Sequence, residues 1–111
     1  MKRMICASLL AVALGCVPAM AQDAKAGRAR ASAQCAVCHG TDGIAQLPTA
    51  ANLAGQQEVY LAKALEDFRA GRRVNEMMTV VSKDLSDADI ANLAAWYASM
   101  KVTVQVPERQ P

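Results

Sequence analysis

The spacing of apolar and polar positions divides the chain into a few stretches. Met4–Val17 is uncharged and mostly apolar. It is shorter than the roughly 20 residues that cross a bilayer, and Pro18 closes it. In the next stretch Asp23 is placed to cap a first helix from about Ala24 to Val37. Ala26, Ala29, Ala33 and Ala36 are small enough to let that helix approach a neighbour closely, and Lys25, Arg28 and Arg30 give it a basic, solvated surface. Gly40–Gly55 is rich in turn formers (Gly40, Asp42, Gly43, Pro48, Asn52, Gly55) and reads as loop. Leu61, Leu65 and Phe68 then fall at i, i+4 and i+7, one apolar stripe of a second helix from about Gln57 to Ala70, with Tyr60 beside it. Gly71 stops it.

Gly71–Glu76 is polar and loop-like, and Met77–Val81 starts a short helical turn. Ser86 with Asp89 three residues on is a form of capping box, which opens a last helix from Asp87 to about Met100. Ile90, Leu93, Ala94 and Tyr97 form its inner face, with Trp96 beside them. Val102–Pro111, with Pro107 and Pro111, has little that packs firmly. No internal repeat and no strand pattern occurs. The expectation is an all-α domain of three main helices plus a short helical turn.

Composition changes this picture at the N-terminus. Lys2 and Arg3 precede the apolar run, and Ala19-Met20-Ala21 is a small-x-small cleavage site, so residues 1–21 read as a secretory signal peptide. An uncleaved anchor is disfavoured by the length of the run. A lipoprotein signal at Cys16 is only loosely matched by Ala13-Leu14-Gly15-Cys16. Cleavage after Ala21 removes Lys2 and Arg3 and takes the formal charge from +2 to zero, which gives no argument for nucleic-acid binding. The domain then spans residues 22–100 and a loose tail residues 101–111. Cys6 and Cys16 leave with the signal, so Cys35 and Cys38 are the cysteines that remain and no disulfide framework is left. The core is thin: aromatics make up 4 % of the chain, and alanine buries little area.

Cys35-Ala36-Val37-Cys38-His39 carries the chemistry. Two thiols three apart followed at once by an imidazole form the attachment site of a c-type haem. The thiols become thioethers with the two vinyl groups, and the two-residue spacer on one helical turn brings both sulfurs to one porphyrin edge. His39 then projects under the ring, where its neutral nitrogen binds iron. Half a zinc site would need two further Cys or His ligands, and His39 is the single histidine of the chain. A thioredoxin-type pair belongs beside a βαβ pattern, which is missing. A haem would also supply the apolar mass the core lacks. The sixth iron ligand is then water, Lys or Met, with Met77, Met78 and Met100 as the methionines past residue 21.

The chain resembles a class I cytochrome c of the short bacterial type, similar to one half of the two-haem bacterial cytochromes c. The matching residues are Gly27, Cys35-x-x-Cys38-His39-Gly40, Leu53-Ala54-Gly55-Gln56, Tyr60-Leu61, Leu65, Phe68-x-x-Gly71-x-Arg73, Met78, Leu85-Ser86-Asp87 and Ala94-x-x-Tyr97. They cover nearly all of residues 23–100. The resemblance implies the small cytochrome c fold around one haem c, held covalently through Cys35 and Cys38. It implies His39 and Met78 as axial ligands, Met78 because the family's methionine lies seven residues before the Leu of Leu-Ser-Asp. It further implies a periplasmic one-electron carrier, not an enzyme. Its redox partners would be bound weakly and transiently, and it would meet membranes only through partner complexes. A haem subunit fixed in a larger periplasmic oxidoreductase is the alternative, and a gas-binding or peroxidatic protein with an open sixth position is a further one. Two positions depart from the family. Ala51 stands where it usually has Pro, so that Ala51 or Pro48 is left to offer the carbonyl for the histidine N–H. Ala31 stands where many members have an aromatic, to be packed by Tyr97 or Trp96.

Overall fold

The computed structural model describes residues 22–108; the signal-peptide reading of residues 1–21 lies outside them. Five helices follow in order: α1 (Ala24–Gln34), α2 (Ala36–His39), α3 (Glu58–Arg69), α4 (Glu76–Ser82) and α5 (Asp87–Ala98). No strand occurs among the described residues. The three long helices and the short helix at Met77–Val81 are those the sequence pattern predicts; that pattern has the short α2 as the end of the first helix. No helix among the described residues is long and apolar enough to cross a membrane.

Caps set most of the boundaries. The Asp23 carboxylate accepts from the backbone N–H groups of Lys25 and Ala26 at the start of α1. Ser86 and Asp89 form a complete reciprocal capping box at the start of α5. That box holds the Asp89 carboxyl below the usual carboxylate range, chiefly through the Ser86 backbone N–H. α3 ends at Arg69 with Ala70 as its C-cap, and Gly71 follows with φ +75°. Two boundaries differ from expectation. The first helix breaks at Cys35, whose carbonyl accepts from both Cys38 N and His39 N while its own N–H closes α1 on Ala31. One residue therefore ends α1 and begins α2. The fourth helix begins at Glu76, because Asn75 caps it.

The core is the crossing of α1 on α5, with α3 packed on the other side of α5. Ala31, Leu61, Leu85, Ile90, Leu93, Ala94 and Tyr97 form its buried cluster, and Leu53, Leu65 and Trp96 pack against it. All four expected inner residues of α5 are buried there. On α1 the outcome is different: Gly27 and Ala31 are the buried residues, while Ala26, Ala29 and Ala33 face solvent. Gly27 makes the approach possible. A Cβ at this position would lie 1.9 Å from the Asn92 carbonyl oxygen and 2.9 Å from Trp96 Cβ, well inside van der Waals contact. Ala31, fully buried, shares the core cluster with Tyr97, and Trp96 packs against that cluster. Of the basic residues on α1, Arg30 reaches Asp89 at 3.6 Å and Arg28 lies over the Trp96 ring at 5.7 Å, so only Lys25 fits the simple solvated-face reading.

Candidate haem site

Cys35, Cys38 and His39 come together on α2 and its cap, all three half-buried. Both thiols are free. Burial pushes the Cys35 thiol up from its ordinary pKa, against the smaller opposing effects of the Tyr97 hydroxyl and of Arg30. The uncharged sulfur is thus the favoured form there, as it is in a thioether.

The imidazole is oriented from the loop. His39 Nδ1 lies 2.7 Å from the Ala51 carbonyl oxygen, so Nδ1–H donates to Ala51, and Nε2 is left as the unprotonated nitrogen with a lone pair. A metal-binding histidine is usually held in this way by its other ring nitrogen. Of the two carbonyls the sequence left open, Ala51 is the one used, so a proline is not needed at that position. Gln46 N donates to Cys38 O at 2.8 Å, which closes the loop back on α2.

The exit from α2 is held by α5. Gly40 takes φ +72° as the C-cap, a left-handed turn that releases the chain from the helix. The hydroxyl of Tyr97 donates to Gly40 O at 3.1 Å, and Trp96 Nε1 donates to Thr41 O at 2.7 Å. Two successive aromatic side chains of α5 therefore grip two successive carbonyls just past His39. Burial raises the Tyr97 pKa far above its usual value, so its O–H remains a donor throughout the physiological range. Neither grip could be read from sequence, because the pairs are separated by 55 and 57 residues.

Met78 lies on the first turn of α4 and is half-buried, whereas Met77 is 61 % exposed. Met100 follows α5 and is half-buried. Asn75 Oδ1 accepts from Met77 N at 3.1 Å and from Met78 N at 3.0 Å. Asn75 is a contributor that sequence reasoning passed over as loop; an Asn followed by a short apolar run was the available signal.

The residues fit a haem. The two free thiols stand at thioether spacing, and one imidazole nitrogen is committed while the other is free. Large apolar side chains of the neighbouring loop and of α3 and α4, Ile44, Leu47, Tyr60 and Val80 among them, are exposed.

The family profile described as cytochrome c oxidase, cbb3-type, subunit III matches residues 22–96. Cytochrome c-554(548) of Halomonas halodenitrificans is 40 % identical over 84 residues, which are 73 % of this chain and 100 % of that protein. The chain belongs to the class I cytochrome c family. Membership brings haem c bound covalently through cysteine, and Cys35 and Cys38 are the two thiols at that spacing. Cytochrome c4 of Pseudomonas aeruginosa is 41 % identical over 104 residues, 94 % of this chain and 51 % of that protein. The crystal structure of reduced recombinant cytochrome c4 from Pseudomonas stutzeri matches with a TM-score of 0.65 and 39 % identity, over 76 % of this chain and 48 % of that one. The chain thus spans about half the length of its cytochrome c4 relatives, and its helices have the small cytochrome c fold.

Proposed function

We propose that this chain is a one-electron carrier with His39 and Met78 as axial ligands, working in the periplasm after export and removal of residues 1–21. The observation that carries the reading is the arrangement around His39: its Nδ1 is bound to Ala51 O, so Nε2 is free to ligate from a fixed direction. Haem iron, when bound, supplies the Fe(II)/Fe(III) couple. The chain's part is to hold that iron on both faces and to keep water from it. Thioether sulfur as the second axial ligand favours the reduced state and raises the potential. With both axial positions filled by protein, no position is open to a substrate, which suits a carrier rather than an enzyme. Partners of such a carrier bind through small interfaces.

The methionine pair tests the reading. Met78→Ala should keep the haem attached and lose the far-red methionine–Fe(III) charge-transfer band. Its reduction potential should fall by on the order of 100 mV, a fraction of the range that axial ligation spans. Met77→Ala should keep both. Loss of the band in Met77→Ala with retention in Met78→Ala would move the ligand by one residue. A second reading, a haem subunit fixed in a larger oxidoreductase, draws on the description of the matching profile as an oxidase subunit. The native mass of the protein isolated from cells separates the two: a carrier migrates alone, and a subunit does not.

A further inference from the structure

The helix that bears Met78 is the least supported element of the site. α4 has seven residues, too few to persist in water on helical propensity alone. Among the described residues no hydrogen bond from Glu76–Ser82 reaches beyond residues 75–85. What secures its first turn is Asn75. The Oδ1 of Asn75 accepts from Met77 N and Met78 N. The Asn75 backbone N–H donates to Thr79 Oγ1 at 3.0 Å, and Thr79 N donates to Asn75 O at 2.9 Å. These four bonds wrap the turn on which Met78 stands, and one of them ends on the Met78 amide itself.

We infer that Asn75 is a positioning residue for the sixth ligand, and that its cap, backed by Thr79, sets how often Met78 leaves the iron. This rests on the assignment of Met78 as that ligand. The physical link is direct. In the inferred opening, the first turn of α4 shifts as the thioether withdraws. In the capped state that shift breaks the bonds from Met77 N and Met78 N to one side-chain oxygen. Without the cap, those N–H groups are already orphans of a helix start and turn to water at no further cost. The cap therefore stabilises the ligated arrangement over the detached one by about the strength of a cap. A structural role would lower the stability of the whole domain without altering the balance at the iron.

The test is an imidazole titration of the ferric, haem-bound protein, since imidazole competes with methionine for the sixth position. Asn75→Ala should bind imidazole about fivefold more tightly than the wild type, the factor that one lost cap corresponds to. Asn75→Ser keeps an oxygen acceptor with no added charge and should lie within about twofold of the wild type. Thr79→Val removes the backing bond only and should give an intermediate affinity, so that the inference stays open to refutation even where Asn75→Ala does not fold. Unchanged imidazole affinity in Asn75→Ala or Thr79→Val, with a lowered unfolding midpoint, overturns the inference and leaves the cap a structural one. Asn75→Ser behaving as Asn75→Ala overturns it as well. Met78→Ala is the separate control. If Met78→Ala keeps the charge-transfer band, the ligand assignment falls and the inference with it; if it loses the band while Asn75→Ala binds imidazole as the wild type does, the latch alone falls.

Discussion

His39 stands on a segment tied to distant parts of the chain: to Ala51 across 12 residues, to Trp96 across 55 and to Tyr97 across 57. Met78 stands on a segment whose hydrogen bonds span four residues or fewer at its start, and which joins the rest chiefly by packing on α3. One outside side chain reaches the far end of this region: Arg69 of α3 donates to Leu85 O at 2.8 Å and to the Asp87 carboxylate at 2.6 Å, fixing the corner between α4 and α5. The difference sets a widely anchored haem-attachment motif against a locally held helix that bears the proposed ligand. The side that carries Cys35, Cys38 and His39 is held together by the α1–α5 crossing and the loop. The side that carries Met78, the ligand proposed above, is a local structure of about two turns. Its failure need not unfold the domain.

The comparison breaks most severely at Gly27. Its missing side chain allows α1 to lie on the backbone of α5 at Asn92, and that crossing places Trp96 and Tyr97. Gly27→Ala should destabilise the haem-bound protein by about 3 kcal/mol, the upper part of the usual range for overpacking, because the obstructing atoms are backbone and cannot rotate away. Denaturant unfolding followed by circular dichroism measures this. A loss below about 1 kcal/mol would show that α5 yields easily, and the His39 side would not be the rigid partner.

A finer cut removes one grip at a time. Tyr97→Phe takes the hydroxyl from the buried bond to Gly40 O, and a Phe in place of Trp96 takes the indole N–H from Thr41 O. The first leaves Gly40 O with Gly43 N as its remaining donor and the second takes the indole donor from Thr41 O, and each should cost about 1–2 kcal/mol in stability. The charge-transfer band should survive both changes, since neither touches α4. Asn75→Ala is the converse case, with the larger effect at the iron. Loss of the band in Tyr97→Phe at unchanged stability would mean that the grips of α5 serve the methionine side, and the contrast between the two sides would collapse.

What the sequence revealed follows the same division. Local signals were readable: the cap at Asp23, the box at Ser86 and Asp89, the stripe of Leu61, Leu65 and Phe68, and the spacing of Cys35, Cys38 and His39, each settled within a few residues. The face of α1 was not, because a helix of alanine and glycine has almost no contrast between its sides; the exposed alanines and the buried Gly27–Ala31 pair look alike until α5 is in place. The choice of Ala51 over Pro48 as acceptor depended on how a long loop folds, and no periodicity reports that. Asn75 was hidden for another reason. Its polar neighbours from Gly71 onward read as loop, and only the first turn of α4 reveals it as a cap.

The smallest expected effect concerns Ser82, at the end of α4. It is fully buried, and its Oγ finds no hydrogen-bond partner among the described residues. A buried hydroxyl without a partner costs free energy, and serine is a weaker helix former than alanine. Ser82→Ala removes one oxygen and opens almost no cavity. It should therefore stabilise the domain, by about 1 kcal/mol once the two contributions are combined with the lost contact. In a domain of this size that corresponds to a rise of roughly 4–8 °C in Tm. The gain belongs to the methionine side, where a short helix carrying an orphan hydroxyl is held at its far end by one asparagine. Imidazole affinity should stay within about twofold of the wild type, because Ser82 lies about two turns from the Asn75 cap and the first-turn bonds are untouched. A lower Tm in Ser82→Ala would show that the hydroxyl is satisfied in solution by an internal water or by the haem. The methionine side would then be tied to its surroundings by more than packing and a cap.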